Sequence, residues 1–404
     1  MTGERMLHSI EINGFRSCDS VVLDDLDYLV ALVGRNGAGK SNILRAIYWA
    51  ATQASVPRSS DARALASIRN ARVALTFTTV NSSLRYELAA TSNGGSPLVT
   101  TVAERLWLEN SGSQQLVAER SGQEITIIEG TRTTGVVTDS STPMLLALSE
   151  RESSLSPIFS QALSFLSSVH YYPLNELNAY GDSNDVSVIP AKALVEWLRT
   201  RSPDRLASNN AELRILSMSL FDKDKYEDFM SIVGPDGLGL LDSIQISGTG
   251  TTQDNEALLT SGEPLNLFYY IFYLKDTKHF FYPQLSYGTR RVIDIVAALV
   301  YDQSSVMLIE HPEDGIHIGL LRKLLGVIYS FRSTTQVFAA THSRTLLNDV
   351  KFKQIRFVSS HNGITSAAKL AGEKLEVAEK YITGHGDDSG SVYDFIELRE
   401  DDSP

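Results

Sequence analysis

Between positions 28 and 41 the chain reads Tyr-Leu-Val-Ala-Leu-Val-Gly-Arg-Asn-Gly-Ala-Gly-Lys-Ser, six apolar residues running straight into a glycine-rich turn. An unbroken apolar run of this kind fits a strand buried on both faces, as in a parallel sheet covered by helices. Residues 42–51 then show helical spacing, so the turn joins a buried strand to a helix. Gly34 to Ser41 matches G-x-x-x-x-G-K-[ST], and in this context the spacing has a mechanism. Glycines at 34, 37 and 39 allow positive φ and close backbone approach, so successive N–H groups can point at phosphate oxygens. Lys40 brings a mobile positive charge for the β and γ phosphates, Ser41 Oγ a ligand for Mg²⁺, and the helix N-terminus its partial positive charge.

The rest of the sheet is scattered along the chain. Residues 7–12 and 19–23 read as strands around a break at Asn13-Gly14. From 72 to 130, short alternating stretches at 73–80, 84–89, 102–108 and 124–128 predict antiparallel β structure. Residues 153–168 read as a helix and 169–172 as a strand stopped by Pro173. Helical periodicity over 190–232, broken at Pro203 and Asn209-Asn210, predicts a separate helical lobe, and Gly-, Ser- and Thr-rich 247–262 reads as a loop. The α/β rhythm returns with strand 306–309, helix 318–330, strand 336–340, helix 344–349 and a hairpin turning at Asn362-Gly363. The core sheet is therefore expected as two halves flanking an insertion. The expected boundaries are 1–180 for the N-terminal half, 181–280 for the lobe, 281–370 for the C-terminal half and 371–404 for an acidic, partly disordered tail.

Composition narrows the setting. Of 404 residues, 43% are hydrophobic and 21% charged, an ordinary globular balance. The densest apolar stretch, 265–274, is half of the roughly 20 residues a membrane span needs and contains Asn266. The start, Met1-Thr-Gly-Glu-Arg5, has no apolar export core, and a single cysteine, Cys18, excludes a disulfide framework or a cysteine-built zinc site within one chain. A cytosolic protein is expected. The net charge of −12 argues against coating nucleic acid by bulk electrostatics, leaving only a local basic patch for that role.

Three further segments belong with the glycine-rich turn. Leu285-Ser-Tyr-Gly288-Thr-Arg290-Arg291 enters a helical run over 292–299 without a breaker, so Ser286 and Gly288 would offer a hydroxyl and backbone N–H groups to an anion, or simply cap the helix. Val306-Met-Leu-Ile-Glu310 is a buried strand delivering a carboxylate at its C-terminal end, where open α/β sheets bind ligands. Glu310 would hold Mg²⁺ directly or through water. His311-Pro-Glu313-Asp314 follows, then His317. Ala340-Thr-His342-Ser343 puts an imidazole at the end of another buried strand; a histidine alone is most often structural, and the order of motifs makes this one a candidate.

As a set these motifs resemble the ABC-type ATPases, specifically the branch containing SMC proteins, RecF and OLD-like ATPases, whose N-terminal strand signature is similar to Ile12-Asn-Gly-Phe15-Arg16-Ser17. The resemblance spans 7–343, although the lobe between about 180 and 280 matches nothing by motif. It implies an α/β P-loop NTPase head of ABC type with a mixed core sheet, an antiparallel β subdomain and an inserted helical lobe. It also implies ATP and Mg²⁺ as cofactors. ATP would be held by Gly34, Asn36, Gly37, Gly39, Lys40, Ser41 and Asn42, with Arg16 close by and His342 sensing the γ-phosphate. Ser286 and Gly288 of a second copy would cap that phosphate in trans, making a homodimer around two ATPs. In many relatives a glutamate that orients the attacking water follows the strand-closing acid, and here His311 stands in its place. A neutral imidazole can accept a proton but lacks the charge, so slow turnover is expected. Glu313 is the alternative base, since OLD-like sequences commonly have an acid there; its other role is a solvated loop charge or helix cap.

The first functional expectation is an ATPase that dimerises on ATP and controls an effector partner in antiphage defence or genome maintenance. OLD proteins carry a nuclease behind the ATPase, yet only about 60 residues follow His342, so a nuclease of Toprim or HNH type would act in trans. The alternative is a RecF-like DNA-repair head binding DNA directly, with Arg199, Arg201, Arg205, Arg290 and Arg291 as phosphate contacts; a solvated helix face explains the first three equally well. A transporter ATPase subunit fits less well. Roughly 240 residues separate Lys40 from Leu285, and Glu310-His-Pro-Glu replaces the transporters' usual Asp-Glu-Pro-Thr.

Overall fold

The computed structural model describes residues 5–57, 70–92, 100–110, 113–139, 141–173, 188–200, 211–249, 267–274, 278–369 and 376. In chain order the elements begin β1 (Met6–Phe15), β2 (Cys18–Leu23), β3 (Leu29–Val33), α1 (Lys40–Ser55), β4 (Asn70–Thr78), β5 (Ser83–Ser92) and β6 (Thr100–Asn110). They continue with β7 (Ser113–Ser121), β8 (Glu124–Glu129), β9 (Arg132–Val137), α2 (Met144–Ser149), α3 (Ser156–Leu166) and β10 (Val169–Tyr172). Next come β11 (Val188–Pro190), α4 (Ala191–Thr200), α5 (Ala211–Phe221), α6 (Lys223–Val233), β12 (Ser243–Thr249), β13 (Leu267–Leu274) and β14 (Lys278–Phe280). The described chain closes with α7 (Tyr287–Asp302), β15 (Val306–Glu310), α8 (Ile318–Ser330), β16 (Gln336–Thr341), α9 (Arg344–Asn348), β17 (Ile355–His361) and β18 (Ile364–Ala368).

Two compact units result, the first formed by 1–171, 304–311 and 332–404, the second by 172–303 and 312–331. This division does not follow the boundaries expected at 180 and 280. The first unit holds an antiparallel eight-stranded sheet, ordered β2-β1-β4-β5-β6-β7-β8-β9, and a six-stranded sheet, ordered β10-β15-β16-β3-β17-β18. In the second sheet β15, β16, β3 and β17 run parallel, and β18 returns antiparallel. Helix α1 packs on β1, β4 and β5 of one sheet and on β15 and β16 of the other. Its sequence permits this, because Lys40 and Arg45 are its only charged residues and Ile43, Leu44, Ala46, Ile47, Trp49, Ala50, Ala51 and Ala54 are all buried. A helix apolar on nearly every side has to be enclosed. Register sets Thr341 opposite Val33 and Glu310 opposite Ala340, so β3, β16 and β15 end together at one sheet edge.

The antiparallel sheet ties itself to α2 through a buried ion pair. Arg120 Nη1 lies 3.5 Å from Glu104 Oε1, with both side chains at most 1% exposed. Glu104 also accepts from Tyr86 Oη at 2.8 Å and from the backbone N–H of Met144 at 3.2 Å, while Arg120 donates to the carbonyls of Gly122 and Asp139.

In the second unit β13 pairs antiparallel with β11, β12 and β14. The lobe expected to be helical therefore carries a sheet as well. Residues 247–249, read as loop, lie in β12; the rest of that loop, the breaks at Pro203 and Asn209-Asn210, and the tail fall outside the described residues. The reason is aromatic and β-branched content: Leu-Phe-Tyr-Tyr-Ile-Phe-Tyr-Leu in β13 favours a strand. Helix α7 is the centre of this unit, with Gly288 and Arg291 through Val300 buried, and α5, α6 and α8 pack on it. Among the described residues, no helix is long and apolar enough to cross a membrane.

Truncating Glu104 to Ala leaves the Arg120 guanidinium buried without its carboxylate. The expected loss is about 3–5 kcal/mol, read as a lower urea midpoint; a midpoint unchanged from the parent would contradict the pairing described.

Candidate active site

The turn between β3 and α1 takes its shape from glycines with positive φ, 80° at Gly37 and 105° at Gly39. Gly39 has a second reason to be glycine, because a Cβ there would lie 1.9 Å from Thr365 Oγ1. Gly37 faces open space, with nothing within 4 Å of where its Cβ would stand, and Asn36 is exposed beside it. Ser41 and Asn42 are half-buried in the first turn of α1.

Lys40 is 5% exposed. Its ammonium donates to the carbonyl oxygens of Gly34 at 2.7 Å and Arg35 at 3.0 Å, and stands 3.0 Å from His342 Nε2. An ammonium can only donate, so Nε2 accepts and the neutral His342 ring carries its proton on Nδ1. The His311 ring stacks on His342 with centroids 5.1 Å apart and planes 14° from parallel. His311 has φ 47°, and its N–H donates to Ala340 O at 2.8 Å. That left-handed residue directly follows β15, where a regular strand conformation ends.

Glu310 ends β15 and is 5% exposed. The Tyr171 hydroxyl donates to Glu310 Oε1 and accepts from Arg45 Nε at 3.2 Å. Burial, and then the hydrogen bond to Glu310, push the Tyr171 phenol well above its ordinary value, so it acts as a donor throughout the working pH range. Arg16 occupies the β1–β2 turn with its guanidinium 5.6 Å from the Phe15 ring centroid and Nη1 3.4 Å from Asn42 Oδ1. Burial, and then the charge of Arg45, lower its pKa. The first unit thus brings together Gly34, Gly37, Gly39, Lys40, His342 and His311 around the loop, with Arg16 and Asn42 alongside and Glu310 at the same sheet edge. Tyr171, Arg45 and Thr365 escaped the sequence reading. Ser17 and Tyr171 carried weak signals, one inside the N-terminal signature and the other at the end of a buried strand.

Ser286, Gly288 and Glu313 belong to the second unit. Ser286 caps α7, its Oγ accepting from Thr289 N at 3.2 Å and pairing with Thr289 Oγ1 at 2.8 Å. A Cβ on Gly288 would stand 2.2 Å from Gly315 O, so this glycine has a packing reason within the chain. Glu313 is half-buried and its carbonyl accepts from Ile316 N; Asp314 is exposed; His317 caps α8, with Nδ1 accepting from Gly319 N at 3.2 Å. Arg291, expected as a phosphate contact, is instead fully buried and donates to Tyr287 Oη at 2.9 Å. Its place on the inner face of α7 fixes that outcome. Arg201 and Arg205 lie outside the described residues, as does the side chain of Arg199.

The donors suit a magnesium nucleotide. A hydroxyl at Ser41 and a carboxylate at Glu310 are the hard oxygen ligands Mg²⁺ takes, and Gly37 leaves room for the β and γ phosphates beside Lys40. Bound there, Mg²⁺ would neutralise phosphate charge.

Two outcomes are expected. Tyr171→Phe removes the O–H that orients Glu310, and should raise the Mg²⁺ concentration for half-maximal ATP binding by about tenfold; an unchanged Mg²⁺ titration would refute the relay. The second concerns α7, where Asp294 is 3% exposed, accepts from Tyr282 Oη at 2.9 Å through Oδ1, and leaves Oδ2 without a partner. Burial outweighs that hydrogen bond and pushes the Asp294 carboxyl up to about 6. Because the folded state holds the proton more tightly than the unfolded chain, stability is lost as pH rises from about 4 through 6. Asp294→Asn should therefore be more stable than the parent at pH 7–8, the gap closing below about pH 4, as followed by thermal melting across pH.

A family model described as "AAA domain, putative AbiEii toxin, Type IV TA system" matches residues 134–348, just over half of the chain. A second AAA-domain model matches residues 9–169. No curated protein matches. Among solved structures, the chain is similar to an Smc head bound to the C-winged helix domain of ScpA, with 13% identity over 91% of this chain and 99% of that one and a TM-score of 0.49. An Smc head with an extended coiled coil, bound to the C-terminal domain of ScpA derived from Pyrococcus furiosus, gives 14% identity over 93% and 98% and a TM-score of 0.49. The SMC head domain from Thermotoga maritima gives 13% over 91% and 100%, with a TM-score of 0.38. With the phosphate loop between β3 and α1 and a family match over more than half its length, the chain belongs to the AAA-domain family of P-loop ATPases.

Proposed function

We propose that the protein binds and hydrolyses ATP with Mg²⁺ in the cytosol, dimerises around two nucleotides, and through that dimer controls an effector partner, a nuclease acting in trans, in antiphage defence. The observation that carries the reading is the contact of the Lys40 ammonium with the loop carbonyls and His342 Nε2. It joins the ammonium of the phosphate loop to an imidazole just past the end of the neighbouring parallel strand, so a γ-phosphate drawing on Lys40 alters the partners of His342 as well. The toxin–antitoxin system named in the family description supports a role exercised through a partner.

Each residue has a task in this scheme. Lys40 and the backbone N–H groups of the loop stabilise charge on the phosphates, and fixed donors in an enclosed site do this without reorganising. Ser41 and Glu310 would hold Mg²⁺, with Tyr171 orienting the carboxylate. His342 reports the γ-phosphate, and His311 or Glu313 positions the attacking water. Ser286, exposed at the head of α7, caps the nucleotide of a second copy.

Steady-state hydrolysis by the parent, His311→Ala and Glu313→Gln separates the two bases: the variant that loses about 100-fold identifies the residue that positions water. Fast turnover indifferent to both would contradict the slow hydrolysis expected from an imidazole in the glutamate's place. For assembly, the parent with a nonhydrolysable ATP analogue should run as a dimer in light scattering, and Ser286→Arg under the same conditions should run as a monomer. Co-purification of an effector with the parent and with Lys40→Ala then tells whether partner binding depends on ATP.

A further inference from the structure

Behind the phosphate loop runs a chain of hydrogen bonds that the scheme above leaves without a task. Asn42 Nδ2 donates to Ser17 Oγ at 2.7 Å, Ser17 Oγ lies 2.7 Å from Thr365 Oγ1, and Thr365 Oγ1 donates to the carbonyl of Ala38 at 3.0 Å. Each hydroxyl has one proton. Thr365 spends its proton on Ala38, so Ser17 must be the donor to Thr365, and all three bonds run in one sense from Asn42 to the loop. Hydrogen bonds aligned in this way polarise one another.

The chain ends on a particular peptide. The carbonyl of Ala38 and the N–H of Gly39 belong to the same planar unit, so a proton donated to that oxygen draws electron density toward it and makes the Gly39 N–H a stronger donor. Gly39 is a glycine of the phosphate-binding motif. Thr365 is 1% exposed and occupies the volume a Cβ on Gly39 would need, and its own N–H donates to Ser17 O at 2.7 Å. Strand β18 is thereby fastened to both the β1–β2 turn and the loop, although 348 positions separate Ser17 from Thr365.

We propose that Thr365 is a positioning residue for phosphate binding: its hydroxyl, supplied by Ser17 and Asn42, holds the Ala38–Gly39 peptide in its phosphate-receiving orientation and strengthens its N–H. The inference rests on the nucleotide reading of the site. Full-length parent, Thr365→Val and Thr365→Ser are compared for binding of fluorescent ATP and ADP, for kcat and KM, and for thermal melting. Valine keeps the shape and removes the hydroxyl; it should weaken ATP and ADP alike by about tenfold while kcat at saturation stays within about twofold. Serine should restore affinity to within about threefold of the parent. A valine variant that binds as the parent does, a serine variant as weak as valine, or a loss confined to kcat overturns the proposal. If valine prevents folding, Ser17→Ala removes the upstream donor instead, and several-fold weaker binding is expected, with indifference again overturning it. A parent chain that binds no ATP refutes the nucleotide reading itself, whereas a parent that binds and a valine variant that is unaffected refutes Thr365 alone.

Discussion

A buried ammonium at the end of a parallel sheet sets the terms for what surrounds it. Lys40 is almost wholly removed from water, and a charge in that position is tolerated only if its donors are met. Three acceptors meet them, two from the loop's own backbone and one from a histidine 302 positions away. The loop must therefore curl back over the lysine, which requires left-handed residues at 37 and 39, and only glycine adopts that conformation without cost. The histidine must be neutral with its proton on the far nitrogen. Its ring must also be held, and the stacked His311 ring does so. One desolvated charge thus fixes a backbone path, a tautomer and an aromatic contact.

Which of these features the sequence discloses depends on how far apart their parts lie. The strand, turn and helix of the phosphate loop are contiguous, so apolar run, glycines and Lys-Ser could be read from residues 28 to 51. Glu310 and His342 were legible because each closes a buried strand, and parallel strands in such a sheet bring their C-terminal ends to one edge. Tyr171 and Thr365 were not, since their partners stand 139 and 327 positions away and only topology says which strand ends are neighbours. Periodicity failed differently in the second unit. It identified α4, α5 and α6 but overlooked β13, because a short aromatic run reads equally as a buried strand or a buried helix, and β12, because its Ser-Gly-Thr end reads as loop. Arg291 shows the opposite error. A charged residue beside a helix start reads as a surface contact, whereas the burial of α7 on nearly all sides puts this one inside.

Polar groups beside the phosphate loop and inside helix α7 are met differently. Around the loop, polar groups are joined to one another: Arg45 to Tyr171 to Glu310, and Asn42 to Ser17 to Thr365 to Ala38. Satisfied networks of this kind rigidify the groups they hold. Helix α7 instead buries Asp294 with one oxygen unpartnered, a cost that a helix selected for packing alone would shed by carrying an apolar residue.

The same reasoning bears on turnover. His311 stands where relatives of the resembled branch place a glutamate, and it adopts a left-handed backbone conformation that costs a non-glycine residue of the order of 1 kcal/mol. That cost is offset locally by the bond to Ala340 O and by the stack on His342. An imidazole committed to holding another imidazole has less freedom to chase a water molecule than a carboxylate at the end of a flexible stem. On the proposed function, the geometry that ties Lys40 to His342 and His342 to His311 would favour registering a γ-phosphate over rapid hydrolysis.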